Sequence, residues 1–196
     1  MKIILASGSP RRQELLKNIV NEFKIIPSKY EENIPEGCPA EEAAEFLAVQ
    51  KAMDVAKEHK DDLIIGCDTV VVCEGEILGK PKDEDDAKRM LRKLSGKEHR
   101  VITGTAIMGN GISMSFSEST AVRFATLNED EINWYISTKE PMDKAGAYGI
   151  QGSGSLFIEK IEGDYYSVMG LSVNKLYSML KKIYPTALKT MAKKDK

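Results

Sequence analysis

Four polar placements in this chain cost free energy unless something compensates them, and each compensation would be a piece of chemistry. Arg11 and Arg12 follow Ser9-Pro10, where Ser9 predicts a helix N-cap and Pro10 the first helical position. The helix dipole makes that end positive, so two cations there have the wrong sign by about 1 kcal/mol or less each. An anion reverses the argument: open backbone N–H groups, two guanidinium forks and the hydroxyls of Ser7 and Ser9 suit a phosphate. The plainer reading sends both arginines into water.

Asp68 interrupts the apolar run from Leu63 to Val72. A carboxylate there is costly unless it is paired, hydrogen-bonded or metal-bound, and enzymes keep such groups for catalysis. Strand alternation that turns it to solvent is the structural alternative. Lys51 falls on the apolar stripe of a helix, four residues from Leu47 and from Val55; it either snorkels out or serves a site. Lys80 sits in Gly79-Lys80-Pro81, a constrained turn but no Walker A loop, because the spacing from Gly75 is one short and Pro81 replaces the Ser/Thr. A fifth feature is the segment from Asp143 to Gly152. Its glycines would let backbone approach a flat ligand, Tyr148 offers an aromatic face, and Gln151 offers a paired donor and acceptor. A long flexible loop is the plainer account.

These residues need elements to hold them. Residues 3–6 predict a short buried strand, and Leu15, Leu16 and Ile19 the apolar face of the helix after it. A second strand is predicted over 23–27, an irregular acidic loop over 28–39, and a helix over 40–58 with Ala44, Leu47, Ala48, Ala52 and Val55 on one stripe. Leu63 to Cys73 predicts a long strand, with Glu74-Gly75 turning it back into Ile77-Leu78. Asp83 and Asp86 signal the start of a helix that Gly96 closes, and Asn128 with Glu131 signals another running to Ser137. Between them lie strands joined at Gly109-Asn110-Gly111, and a further one over 120–126. Residues 138–155 carry few signals; a strand over 156–160 and a helix over 173–183 follow, ended by Pro185. Strands and helices interleave without strict βαβ alternation, so the fold class is mixed α/β, a mixed sheet flanked by helices. Residues 1–184 read as one domain and 185–196 as a basic tail.

Composition bounds the rest. The 196 residues are 42% hydrophobic and 30% charged, the balance of a globular chain. With 28 basic against 30 acidic side chains and only 7% aromatic residues, a long nucleic-acid partner is not expected. No apolar run approaches the roughly 18 residues that span a bilayer, and the first six residues are too short for a signal-peptide core. Cys38, Cys67 and Cys73 are odd in number and fit no zinc spacing. Two of them lie in the apolar strand, so buried thiols in a cytoplasmic protein are expected.

Taken together, Ser7-to-Arg12, Gly66-to-Thr69, Gly79-Lys80-Pro81, Asp143-to-Gly152 and Gly163-to-Leu171 resemble the Maf family, and the resemblance runs from residue 3 to about 183. These are nucleoside triphosphate pyrophosphatases, historically linked to septum formation. The resemblance implies a fold similar to inosine triphosphate pyrophosphatases, with two lobes around a cleft. It also implies hydrolysis of a nucleoside triphosphate to monophosphate and pyrophosphate with a divalent cation, Mg²⁺ or Mn²⁺, usually in a homodimer. On this chain the family's catalytic base falls on Asp68 and its specificity residues on Arg11, Thr69 and Gln151. Its phosphate-binding cations fall on Arg12, Lys51 and Lys80, and an acid falls on Glu32, beside Glu31. Asp68 and Glu32 would hold the metal. Thr69 and Gln151 resemble the dTTP/UTP branch; the sister branch, which prefers 7-methyl-GTP, carries other residues at those two places. A third reading is a septation regulator that binds nucleotide without turnover. Ser172 departs from the family, which usually has proline there.

Overall fold

The longest apolar run forms the strand around which the rest is arranged. In the computed structural model, which describes residues 1–189, β3 (Leu63–Cys73) is buried along nearly its whole length. Residues 190–196, most of the predicted lysine-rich end, lie outside the described residues. β3 is apolar on both alternating sides because both its faces are covered. On one face Leu63, Ile65 and Cys67 pack with Leu15 and Leu16 of α1 (Pro10–Lys17) and with Leu176 and Leu180 of α6 (Val173–Ile183). On the other face Ile64, Val70 and Val72 meet Ala44, Leu47, Ala48 and Ala52 of α2 (Ala40–Ala56). That alanine face rests directly on sheet backbone. A Cβ at Gly66 would stand 2.3 Å from the Ala48 carbonyl oxygen, and one at Gly104 would stand 2.2 Å from that of Ala44.

With β1 (Ile3–Leu5), β2 (Lys24–Ile25), β5 (Glu98–Gly109), β6 (Ile112–Phe124) and β7 (Ile158–Glu162), seven strands of the described residues make one mixed sheet in the order β2-β1-β3-β5-β6-β7, and β4 (Glu76–Leu78) pairs to β3 off that path. β1 is parallel to both β2 and β3; the remaining pairs are antiparallel. α1 carries the chain from β1 to β2 on one face, and α2 carries it from β2 back past β1 to β3 on the other. The crevice beyond the carboxyl end of β1 is therefore the point where the winding reverses, the usual ligand position in an open α/β sheet.

A second core shares the α1 face. Val71 and Cys73 pack there with Leu91 and Leu94 of α3 (Glu84–Leu94), and with Ile132, Tyr135 and Ile136 of α4 (Glu129–Ser137). Val168, in α5 (Tyr165–Met169), touches both cores. The result is two lobes with a cleft between them, as the resemblance implies.

The helix signals hold where they are local. The Asp86 amide donates to Asp83 at 2.8 Å, and Asn128 with Glu131 forms a complete capping box. Several boundaries move. The second strand shrinks to Lys24–Ile25, an exposed edge pair that stops short of Pro27, and the long helix ends at Ala56. The strand expected over 120–126 is the end of one continuous β6 (Ile112–Phe124), paired residue for residue with β5 (Glu98–Gly109). The strand expected over 156–160 is β7 (Ile158–Glu162), because 153–157 coil into a 3₁₀ turn. α5 has no counterpart in the sequence reading. At the far end, Pro185–Ala187 forms a 3₁₀ turn and Leu188 is buried against the first core, bridged to Val20, so the described part of the predicted tail packs on the domain.

β5 contributes one buried titratable side chain. His99 lies edge-on to Phe124 and Tyr148, with Nε2 2.8 Å from the Tyr148 hydroxyl and no partner for Nδ1. Burial pushes its imidazole down to about 4, whereas in the unfolded chain it protonates near about 6.5. Between those values the unfolded state binds the extra proton, so stability falls as pH falls through that window, by about 2–3 kcal/mol from this group. His99→Gln is expected to remove that share of the pH dependence, read as the change in urea-unfolding free energy between pH 7 and pH 4.5. An equal change in both proteins would refute it.

Candidate active site

β1 pairs with β3 only as far as Ile65, and β4 begins its pairing at Val71. Between them the edge of β3 opens onto the crevice, and the residues that stand there come from both faces of the sheet. The cleft has a volume of about 1220 Å³. Its lining takes in the loop and first turn after β1, Lys51, Glu32, Asp68, Thr69, Lys80 and the segment from Glu140 to Gly152.

The two anomalies of the sequence, a carboxylate in an apolar strand and a lysine on an apolar helix stripe, are each other's partner. Alternation turns Asp68 towards α2, where Lys51 reaches down between the alanines. The Lys51 ammonium donates to the Asp68 carboxylate and, at 2.7 Å, to Glu32. The side chains of Asp68 and Lys51 are only 8% and 12% exposed, so this ion pair is largely desolvated. Glu32 arrives from the irregular loop before α2, and Lys80 stands 3.6 Å from it but remains mostly exposed. Burial pushes the Glu32 carboxyl up. The Lys51 hydrogen bond and the charges of Lys51, Lys80 and Arg12 outweigh that and hold it below the usual range.

On the opposite face Arg12 is clamped by three separate elements. Its Nε donates to the Gly170 carbonyl at 2.9 Å, Nη1 to Ser7 Oγ and Nη2 to Thr69 Oγ1, both at 3.1 Å. Thr69 is braced in turn by Thr103, whose hydroxyl donates to the Ser167 carbonyl. Among the described residues no carboxylate lies within 4 Å of Arg12. Three of its five donors are used on neutral acceptors, so the guanidinium keeps its charge and two donors for a ligand. Ser9 occupies the N-cap position of α1, but its side chain makes no capping bond. Its amide instead donates to Ser7 Oγ at 3.3 Å. Arg11 lies 3.7 Å from Asp143, a half-exposed contact that contributes little.

The glycine-rich segment departs from the expectation. Its glycines accommodate the protein's own groups rather than a flat ligand: a Cβ at Gly146 would meet Val71, and one at Gly152 would meet the Glu140 carboxylate at 2.4 Å. Tyr148 contributes to the second core instead of offering a free face, its hydroxyl tied to His99. Nor is the segment a loose loop, because three short 3₁₀ turns and the Glu140 side chain strap it down. Gln151 is exposed at the cleft, as is Asp143 at the start of the segment. Sequence reasoning missed Glu140, Tyr135 and Thr103, and gave Gly170 no role although it lies in the motif Gly163-to-Leu171. None carries a local signal, since their partners are 5 to 158 residues away in the chain. Ser172, at the departure from the family pattern, opens α6 and bonds Asp164 at 2.8 Å.

The donor set can be tested against a divalent cation. Among the described residues no three His, Cys, Asp or Glu side chains gather as ligands. Two carboxylates, Asp68 and Glu32, converge on one ammonium. That suits a hard cation which takes one or two protein carboxylates and completes its shell with water and phosphate oxygens; it does not suit an all-protein cage.

Among the described residues no helix is long and apolar enough to cross a membrane. In sequence, the family described as "Maf-like protein" matches residues 2–183. The dTTP/UTP pyrophosphatases of Bacillus cereus strains B4264 and G9842 are each 51% identical over 180 residues, covering 92% of this chain and 94% of theirs. Among solved structures, the Staphylococcus aureus Ham1 protein aligns with a TM-score of 0.56 at 16% identity, over 93% of this chain and 100% of that one. That likeness concerns the fold alone. The clamped arginine turn, the buried acid–lysine pair and a match over nearly the whole length lead to one conclusion: the chain belongs to the Maf-like protein family.

Proposed function

We propose that this protein hydrolyses UTP and dTTP to the monophosphate and pyrophosphate. The observation that carries the reading is the opposition of a desolvated Asp68 to a set of cations, Arg12, Lys51 and Lys80, around one cleft. The likeness to relatives named for dTTP and UTP supports the choice of substrate.

A triphosphate brings close to four negative charges into the cleft. Arg12 would hold it with its two spare donors and the open N-terminus of α1. Ser7 keeps the guanidinium in place, and the Ser9 hydroxyl stands at the same turn. Lys80, mostly exposed at the end of a long stem, would follow the departing pyrophosphate, and Arg11 would reach the substrate from the exposed side. Asp68 would orient the attacking water and take its proton, as attack at the α-phosphorus breaks the bond to the β-phosphate bridging oxygen. Mg²⁺ or Mn²⁺, held by Asp68 and Glu32 with the phosphates, would supply charge neutralisation at those oxygens. Gln151 would read uracil or thymine through O4 and N3–H, with Thr69 shaping the site beneath. A cytoplasmic homodimer belongs to the same proposal; the free, buried Cys67 and Cys73 suit a reducing compartment.

A panel of UTP, dTTP, CTP, GTP and 7-methyl-GTP, followed by phosphorus NMR with Mg²⁺ or Mn²⁺ and with chelator, tests this. UTP and dTTP are expected to turn over fastest and to give pyrophosphate, with turnover lost in chelator. Faster turnover of 7-methyl-GTP would move the protein to the sister branch. Orthophosphate as product would refute α-attack, and binding without turnover would favour the septation regulator.

A further inference from the structure

The segment that presents Gln151 is fixed from beneath by a single carboxylate. Glu140 opens the 3₁₀ turn Glu140–Asp143, and its Oε2 accepts the Ser153 amide at 2.9 Å. Its Oε1 accepts the Gly154 amide at 3.3 Å and the Tyr135 hydroxyl at 2.9 Å. That hydroxyl accepts the Gly149 amide at 3.1 Å. Tyr135 is fully buried on α4, edge-on to Phe157, so the anchor reaches into the second core. The held amides, at 149, 153 and 154, bracket Gln151 on both sides, while Gln151 itself is exposed. Gly152 completes the fit, since any side chain there would collide with the Glu140 carboxylate.

Every group that meets the Glu140 carboxylate is a donor: two backbone amides and a phenol. Only an acceptor without hydrogens satisfies all of them, which an ionised carboxylate is and an amide is not. Burial pushes the Glu140 carboxyl up, but the Ser153 amide, the Tyr135 hydroxyl, the Gly154 amide and the Lys144 charge outweigh it and keep the group below the usual carboxylate range.

We infer that Glu140, with Tyr135, is the positioning pair that sets how Gln151 reads the base, and so the selectivity of the enzyme. Neither residue need touch substrate; both act through the backbone that carries the Gln151 amide. The inference rests on the reading of Gln151 given above. Misplacing a hydrogen-bonding group by a fraction of its length costs discrimination steeply, because the base's polar edge is then left unpaired.

The experiment compares kcat/KM for UTP with that for CTP in wild type, Glu140→Gln, Gln151→Ala and the double variant, together with melting temperatures. Glu140→Gln brings an N–H₂ against an N–H and is expected to lower the UTP/CTP ratio about tenfold. In the Gln151→Ala background it should change that ratio by less than about twofold, since the group it positions is gone. Tyr135→Phe keeps the packed ring, removes the bonds to Gly149 and Glu140, and should repeat the pattern if the first variant folds poorly. A ratio unchanged in both Glu140→Gln and Tyr135→Phe, whatever happens to melting temperature, overturns the inference. So does a loss that persists in full when Gln151 is already alanine. If Gln151→Ala alone leaves the ratio intact, the reading of Gln151 itself fails, and the inference falls with it.

Discussion

Asp68→Asn is expected to lower kcat for UTP by about 10³-fold or more, within the range that a lost general base produces, while the protein stays folded and still binds nucleotide. The substitution keeps side-chain volume and one oxygen for the Lys51 ammonium, so the packing of β3 against α2 should survive. What it removes is the proton acceptor. Binding should persist because the proposed phosphate contacts lie elsewhere, at Arg12, Lys80 and the turn before α1. Pyrophosphate release gives the rate, calorimetric titration with UTP gives the affinity, and thermal melting verifies the fold. Activity within about tenfold of wild type would take Asp68 out of the base role. Glu32 is the weaker candidate on geometry: it comes from a loop and its side chain is 43% exposed, against 8% for Asp68 on a central strand.

Legibility in the sequence followed the range of the interaction. β3, the alanine stripe of α2 and the caps at Asp83 and Asn128 are local patterns, and each formed where the pattern stood. β6 reads in pieces because its middle is polar: Ser113, Ser115, Ser117 and Ser119 interrupt the apolar signal, and ladder pairing with β5 holds the strand instead. α5 is five residues long and depends on Asp164 accepting the Tyr166 amide beneath a neighbouring strand, which no periodicity announces. The site shows the same division. Asp68, Lys51 and Arg12 were conspicuous because each was expensive where it stood, although the sequence could not say that the first two compensate one another. The glycine segment was conspicuous too, but for the wrong reason, since its glycines make room for Val71, Lys144 and Glu140. Glu140 carries no local signal at all; its importance appears only when residues 149, 153 and 154 fold back over it.

Lys51→Met offers a sharper test of the buried pair, because the expected defect depends on pH in a direction that packing alone cannot produce. Methionine retains most of the stem that lies among the alanines of α2, so the apolar contacts largely remain. The ammonium goes, and Asp68 and Glu32 are left facing one another with Lys80 3.6 Å from Glu32 and largely in solvent. Removing one partner of a buried ion pair costs about 3–5 kcal/mol, and that loss should be present at pH 7 in the urea-unfolding free energy. On acidification the two proteins diverge in sign. In wild type the Glu32 carboxyl is held down, so its share of stability, present above the unfolded pKa, is lost as pH falls through its folded value. In the variant, two close acids without a cation take up a proton more readily folded than unfolded, so the folded state gains as pH falls. The gap between the proteins should therefore narrow towards pH 4.5. A gap of constant size would mean that Lys51 acts there through its stem and not its charge, and the cleft would lose the electrostatic opposition on which its chemistry depends.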